Sequence, residues 1–276
     1  CAAMEIAANR AELVLAGGVE SMSHAPILYN HDMVNWLAAL NGAKTLGQRL
    51  AVFSKLRLKN FKPIIALLRG LSDPIVGLSM GQTAENLAYR FGISRAQMDA
   101  FAARSHQRLA NAQDKGHLQE VEPLYDYTGH FYDNDDGLRR DSSVENLGKL
   151  KPVFDRPFGS VTAGNSAQVT DGAALLLLAS EKAVKQYQLP VLGQIVDTHW
   201  AGLEPAQMGL GPVHAISPIL KRHQYQLKDI DYWEINEAFA AQVLGCLAAW
   251  ENESYCKNEL GLEMTMGKLD QERLNV

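Results

Sequence analysis

The feature that most constrains this chain is a set of short, continuous apolar runs that recur with helical segments beside them. Leu13-Val14-Leu15-Ala16 ends at Gly17-Gly18, and the nearly pure apolar stretch Ala173 to Ala179 ends at Ser180. Runs this short with no polar face read as strands, and the absence of alternation predicts burial on both sides in a parallel sheet. Residues 2–8 read as a helix before the first run, and Ser180 caps a helix after the second. Beyond Pro190 the pattern returns: Leu192 to Val196 and Tyr232 to Ile235 read as strands, the latter leading into a helix over Glu237 to Trp250. Pro212 sits where the first turn of a further helix tolerates a missing N–H.

From about residue 28 to 150 the pattern is instead amphipathic helices and polar loops. Gly81 to Phe91 forms one helix, closed by Gly92, and Ser94 to Gln113 a second, opened by a Ser94/Gln97 capping box and stopped by Gly116. The fold class is therefore α/β, with two similar strand–helix blocks around an inserted helical domain. The expected boundaries are 1–27 with 151–189, 28–150, and 190–276.

A chain of 276 residues, 47% hydrophobic and 21% charged, can bury a sizeable core. Its formal net charge of −5 argues against a broad nucleic-acid footprint, which needs a concentrated basic face. No apolar run approaches the roughly 18 residues of a membrane span, and the start Cys1-Ala2-Ala3-Met4-Glu5 lacks a charged and then apolar leader. Cys1, Cys246 and Cys256 are poor material for a disulfide framework, and no histidine pairs with another ligand at metal spacing, so a reducing cytoplasm or organelle matrix and no metal are expected. Within Lys55-Leu56-Arg57-Leu58-Lys59-Asn60-Phe61-Lys62, four positive charges alternate with apolar groups. That stretch reads as a solvated helix face, a site for nucleotide phosphates, or a peripheral membrane contact.

Several residues suit chemistry by position. Polar groups just past a strand lie at a sheet's carboxyl edge, which nominates Glu20, Ser21 and Ser23, although the same residues can serve only a tight turn. Asn236, at a strand–helix junction, can cap the helix or point its amide into a cleft, where it would donate to a developing oxyanion without adding charge. Val161 to Gly172 is a loop of small residues that lets a ligand approach the backbone.

Three segments, Gly17-Gly18-Val19-Glu20-Ser21-Met22-Ser23, Thr162-Ala163-Gly164-Asn165-Ser166-Ala167-Gln168-Val169-Thr170-Asp171-Gly172 and Asn236-Glu237-Ala238-Phe239-Ala240, together resemble the thiolase family. Met80-Gly81 before Thr83-Ala84-Glu85-Asn86, and Met208-Gly209-Leu210-Gly211-Pro212, extend the resemblance along the chain. It implies a layered thiolase-like fold and CoA-dependent cleavage or formation of a 3-ketoacyl-CoA through an acyl-cysteine. Asn236 would position an oxyanion-hole water, and Met80, Ala163, Ser166, Ala167, Ala238 and Phe239 would line the path of CoA. Coenzyme A would be a substrate, with no permanently bound cofactor. Partners would be acyl-CoA, CoA and further copies in a dimer or tetramer, or the other subunit of a fatty-acid oxidation complex.

The resemblance also implies two catalytic cysteines and a histidine. Cys1 stands too close to Gly17-Gly18 for the family's nucleophile and reads as a residue in the helix that follows it. Cys246 reads as core and Cys256 has no basic partner, so the expectation is an incomplete, inactive portion of such an enzyme. Ser79 before Met80 and the Asn-Ser-Ala-Gln-Val-Thr-Asp-Gly wording favour a medium- or long-chain substrate. A non-catalytic acyl-CoA or lipid-binding subunit of the same fold is the alternative. A decarboxylating condensing enzyme would carry histidine where Asn236 stands.

Overall fold

The computed structural model describes residues 1–276. The chain forms two compact units, Cys1–Ser72 with Val169–Gln194, and Asp73–Gln168 with Ile195–Val276.

In the first unit, the strand Leu13–Glu20 pairs with Gly172–Ala179 in a register running from Leu13 opposite Ala179 to Glu20 opposite Gly172. The pairing is antiparallel and the sheet has only these two strands, which corrects the expected parallel strand. Burial on both faces is not found either: Leu15, Val19, Leu175 and Leu176 are exposed. A continuous apolar run reports the wish to be covered, not the direction of the neighbouring strand. Gly17 is required by close approach, since a Cβ there would lie 2.2 Å from the Ala174 carbonyl oxygen. Two of the sequence motifs meet at one end of the ribbon, where the Ser23 N–H donates to Asp171 Oδ1 at 2.8 Å and its hydroxyl to Oδ2. These bonds hold the exposed Asp171 carboxyl below its ordinary range.

The same unit contains a helical hairpin. Asn30 caps the helix His31–Gly42 and Thr45 opens Leu46–Phe53 with a capping box. Trp36 ties the two together, its indole donating to the Val52 carbonyl at 2.9 Å and its ring meeting Phe53 edge-on at 5.3 Å. The basic stretch is not a helix face: it ends in a 3-10 turn, Leu58–Phe61. The Asn30 amide fixes that turn by donating to the carbonyls of Lys59 and Lys62.

The second unit holds the core. Helices Met80–Phe91, Arg95–Asp114, Gly211–His223 and Ala240–Glu251 bury Leu87, Met98, Val213, Val243 and Trp250 completely or nearly so. The caps follow the sequence: Ser79 and Ser94 open their helices with capping boxes, and Gly92 closes the first in the left-handed conformation. Gly209 permits the tight fit around Leu87, where a Cβ would come within 2.7 Å of its side chain. The Trp250 indole donates to the Ser217 hydroxyl, which itself donates to the Val213 carbonyl, so these buried polar groups are paired.

Two expected strands do not form as such. Leu192 to Val196 has no regular structure and is mostly exposed, because no ladder pairs with it. Tyr232 to Ile235 is reduced to a single parallel bridge between Trp233 and Leu274, and the following helix begins at Ala240 instead of Glu237. The insertion, expected without strong strands, carries two-residue ladders only, Ile27–Leu28 with Ile64–Ile65 and Leu124–Tyr125 with Phe131–Tyr132.

Two outcomes follow from this core. Leu87→Ala should cost about 2–5 kcal/mol in denaturant unfolding, from lost burial and the cavity left behind. Asp197 accepts two hydrogen bonds from Arg222 and one contact from His223, and the Arg222 bonds first of all hold its carboxyl down to about 2. A carboxylate depressed in the folded state stabilises above its unfolded pKa and loses that contribution as pH falls through the folded one. Between about pH 4 and pH 2, wild type should therefore lose more stability than Asp197→Asn in acid-unfolding curves followed by circular dichroism.

Candidate active site

The loop from Ser160 to Gln168 is the element around which the nominated residues gather. It has no regular structure of its own, so its backbone groups need outside partners. Glu85, on the Met80–Phe91 helix, supplies one set: its Oε1 accepts the N–H groups of Ser160 and Val161, each at 2.8 Å, and its Oε2 accepts the Ser160 hydroxyl at 3.0 Å. Asp99, on the Arg95–Asp114 helix, supplies another. The residue is 1% exposed, and its two carboxylate oxygens accept from Arg95 Nε at 2.7 Å and from Asn165 Nδ2 at 2.9 Å. Arg95 also donates through Nη2 to the carbonyls of Leu147 and Leu150. Asn165 completes the network by accepting from the Thr162 N–H and donating to the Ser160 carbonyl.

Anchored in this way, the loop pairs with the segment ahead of the Ala240–Glu251 helix. The Ala167 N–H donates to the Ala238 carbonyl at 2.8 Å, the Ala240 N–H donates to the Asn165 carbonyl at 2.9 Å, and Ser166 bridges Phe239 in antiparallel fashion. The second of these bonds satisfies an N–H at a helix start whose cap, Phe239, has no side-chain acceptor. The Phe239 ring meets Phe154 edge-on at 6.0 Å, and Phe154 lies against Gly81, where a Cβ would be only 2.3 Å from the ring. Met80 is the half-buried first residue of that glycine's helix.

The structure thus joins Ser166 and Ala167 directly to Ala238 and Phe239, and links Met80 to them through Gly81 and Phe154. Ala163 is exposed on the same loop. Asn236 is exposed and does not cap the helix, whose N-cap is Phe239. The neighbours of Asn236 are braced by Asn275: its amide accepts from the Ile235 N–H, donates to the Ile235 carbonyl and donates to Glu237 Oε1 at 2.7 Å. The amide of Asn236 is left on a fixed backbone, facing water. A cavity of about 810 Å³ touches the loop at Gly159 and Ser160 and is lined also by Glu85, Arg90, Phe158 and Glu204, but none of the nominated residues lines it.

The cysteines differ sharply. Burial pushes the Cys246 thiol up to about 12, and its sulfur donates to the Gly209 carbonyl. Cys256 is fully buried and donates to the carbonyls of Ala249 and Trp250. Both are buried away from any substrate where they stand. Cys1 is exposed at the N-cap of the helix Ala2–Ala7.

Residues 1–182 match the family model for the thiolase N-terminal domain, and residues 189–269 that for the thiolase C-terminal domain. The chain belongs to the thiolase family. It is 38% identical over 278 residues to the 3-ketoacyl-CoA thiolase of Yersinia enterocolitica, covering 99% of this chain and 63% of that one. It is 36% identical over 272 residues to the mitochondrial trifunctional enzyme subunit beta of Mus musculus, covering 98% and 56%. Human mitochondrial 3-ketoacyl-CoA thiolase in complex with CoA superimposes with a TM-score of 0.76 at 37% identity, over 99% of this chain and 60% of that chain. The acetyl-CoA acetyltransferase of Bacillus anthracis gives 0.78 at 34%, over 99% and 61%. The fold is therefore thiolase-like, and the chain spans about 60% of the length of these thiolases.

Asp99, Arg95, Glu85, Asn165 and Phe154 were not singled out by the sequence for what they do. One signal was available: Asp99 sits between Met98 and Phe101 on the apolar face of a helix, with Arg95 four residues earlier. Removing that carboxylate leaves a guanidinium and an amide without their acceptor. Asp99→Ala should cost about 3–5 kcal/mol in urea unfolding, and a cost below about 1 kcal/mol would show that the loop is held without it.

Proposed function

We propose that this chain contributes the CoA-handling and oxyanion-supporting part of a thiolase, which transfers an acyl group between an enzyme cysteine and CoA as it cleaves or forms a 3-ketoacyl-CoA. The observation that carries the reading is the direct pairing of the Ser166–Ala167 loop with Ala238–Phe239. Two of the family-like motifs, more than 70 residues apart, build one surface of small and aromatic groups beside the exposed amide of Asn236. Met80, Ala163, Ser166, Ala167, Ala238 and Phe239 would shape the path of the pantetheine arm. Asn236 would hold the water or donate the hydrogen bond that stabilises negative charge on the thioester oxygen, a role suited to a neutral donor on a fixed backbone. The 3-ketoacyl-CoA thiolase among its relatives supports a 3-ketoacyl-CoA substrate, and Ser79 with the Asn165–Gly172 wording favours a medium- or long-chain one. Assembly as a dimer is supported by the dimeric peroxisomal thiolase of Saccharomyces cerevisiae, which matches with a TM-score of 0.71 at 31% identity, covering 99% of this chain and 58% of that one. No helix is long and apolar enough to cross a membrane, and the proposed setting is the cytoplasm or an organelle matrix.

A second reading, a thiolase-fold subunit that binds acyl-CoA without turnover, draws on the inert environments of Cys246 and Cys256. A preparation of the full-length protein separates the two, because the buried Cys246 and Cys256 supply no nucleophile within these residues. CoA binding by calorimetry and thiolysis of a 3-ketoacyl-CoA should both be seen if the first reading holds, and Asn236→Ala should then lower kcat/KM by about 10²–10³ with the CoA Kd unchanged. Saturable binding without thiolysis supports the binding subunit, and absence of CoA binding overturns both.

A further inference from the structure

Between Met33 and Ser72 the chain carries seven cations, Lys44, Arg49, Lys55, Arg57, Lys59, Lys62 and Arg69, and no carboxylate at all. This segregation occurs in a protein whose formal net charge is −5, so it is not a consequence of a basic composition. All seven side chains are exposed. Only Lys59 has an acidic partner, Asp32 at 3.0 Å.

The apolar groups of the same segment are exposed as well. Leu46, Leu50 and Phe53 are spaced i, i+4, i+7 and form one stripe of the Leu46–Phe53 helix, with Leu46 75% exposed. Leu58 and Phe61 protrude from the 3-10 turn, Leu58 at 92% exposure. A soluble surface normally hides such a stripe, and a solvated basic face has no use for it. The segment is also held in shape. Trp36 fastens the two helices, Asn30 fastens the turn to the first helix, and buried Asn60 donates to the Asp32 carbonyl and accepts from the Arg57 N–H. Leu58 and Phe61 therefore stay out in water because the backbone beneath them is pinned.

We propose that residues 44–69 form a peripheral docking surface for an anionic lipid bilayer, the cations meeting headgroup phosphates while Leu46, Leu50, Leu58 and Phe61 enter the headgroup–acyl boundary. Charge complementarity selects this occupant. A protein partner would explain the apolar stripe or the charges, but seven unpaired or weakly paired cations beside protruding leucines fit a surface that is apolar below and anionic above. The inference is independent of the catalytic reading, because none of these residues is placed on the CoA path.

The test is co-sedimentation of the full chain with phosphatidylcholine vesicles made with and without phosphatidylglycerol. Wild type should bind the anionic vesicles and much less the neutral ones, with binding falling as salt is raised. Each neutralised cation should lower the partition coefficient about fivefold, so the triple variant Lys55→Gln, Arg57→Gln, Lys62→Gln should lose on the order of a hundredfold. Leu58→Gln should lose roughly tenfold with circular dichroism unchanged, since its side chain makes no core contact. Equal binding of wild type and triple variant to anionic vesicles overturns the proposal. So does failure of wild type to bind them, including the case in which the triple variant instead loses affinity for free CoA, which would assign the cluster to nucleotide phosphates.

Discussion

The candidate site depends on one buried charge. Asp99 sits almost without solvent contact beneath the Ser160–Gln168 loop, and its two oxygens are divided between a guanidinium on its own helix and the amide of Asn165. A carboxylate in such a place is costly unless every lone pair finds a donor, so the arrangement is close to all-or-none. What it gains is specification. An irregular loop has many conformations of similar energy, but few place Asn165 where it can donate to Asp99 and Ser160 while accepting from Thr162. The loop's shape is thus enforced by the cost of leaving Asp99 unpaired, with Glu85 applying the same constraint at Ser160 and Val161.

Once the loop is fixed, the rest of the site follows along the backbone. The Asn165 carbonyl becomes the acceptor that the Ala240 helix lacks at its uncapped start, and the bond from Ala167 to Ala238 sets the register beside it. Phe239 can then reach Phe154, and Gly81 makes room for Phe154. The order of causes runs from a buried ion pair, through a loop, to a helix N-terminus, and only the final members of that order face solvent. Asn275 performs a comparable service at Ile235 and Glu237, so that Asn236 is held from both sides without its own side chain being used.

Local chemistry was legible in the sequence and long-range pairing was not. Ser79, Ser94, Ser180, Gly92 and Pro212 all mark helix ends where the residue types demanded, because caps depend on atoms within a few positions of one another. The motif residues Ser166, Ala167, Ala238 and Phe239 were found, but that they pair with each other was not, since nothing local records a partner 71 or 73 residues away. The Leu13 and Gly172 strands show the same limit. Their composition announced strands, yet their antiparallel direction depends on how the chain returns, which composition does not encode. Tyr232 to Ile235 read as a strand and became one bridge, with side-chain bonds from Asn275 replacing the ladder that was expected. Leu192 to Val196 fails for the complementary reason: β-propensity without a neighbouring strand has nothing to act on.

The electrostatics of the site bear on what it can accept. Glu85, Asp99 and Glu237, the carboxylates that touch its framework, are each committed to donors: backbone N–H groups and a hydroxyl, an arginine and an amide, and an amide, respectively. Only Asp99 among them is paired with a cation, and the nominated residues that remain toward solvent, Ala163, Ala167 and Asn236, carry no charge. A phosphate-bearing thioester of the kind proposed would meet neutral dipoles and small apolar groups there. In the proposed role such a surface would stabilise a transient negative oxygen through orientation instead of charge, which avoids the desolvation that a buried cation would demand. The cysteines obey the converse rule. A nucleophilic thiolate needs nearby positive potential, whereas burial pushes the Cys246 thiol up to about 12 with only the Gln242 amide and the Gly209 carbonyl beside it, and Cys256 is buried against the carbonyls of Ala249 and Trp250.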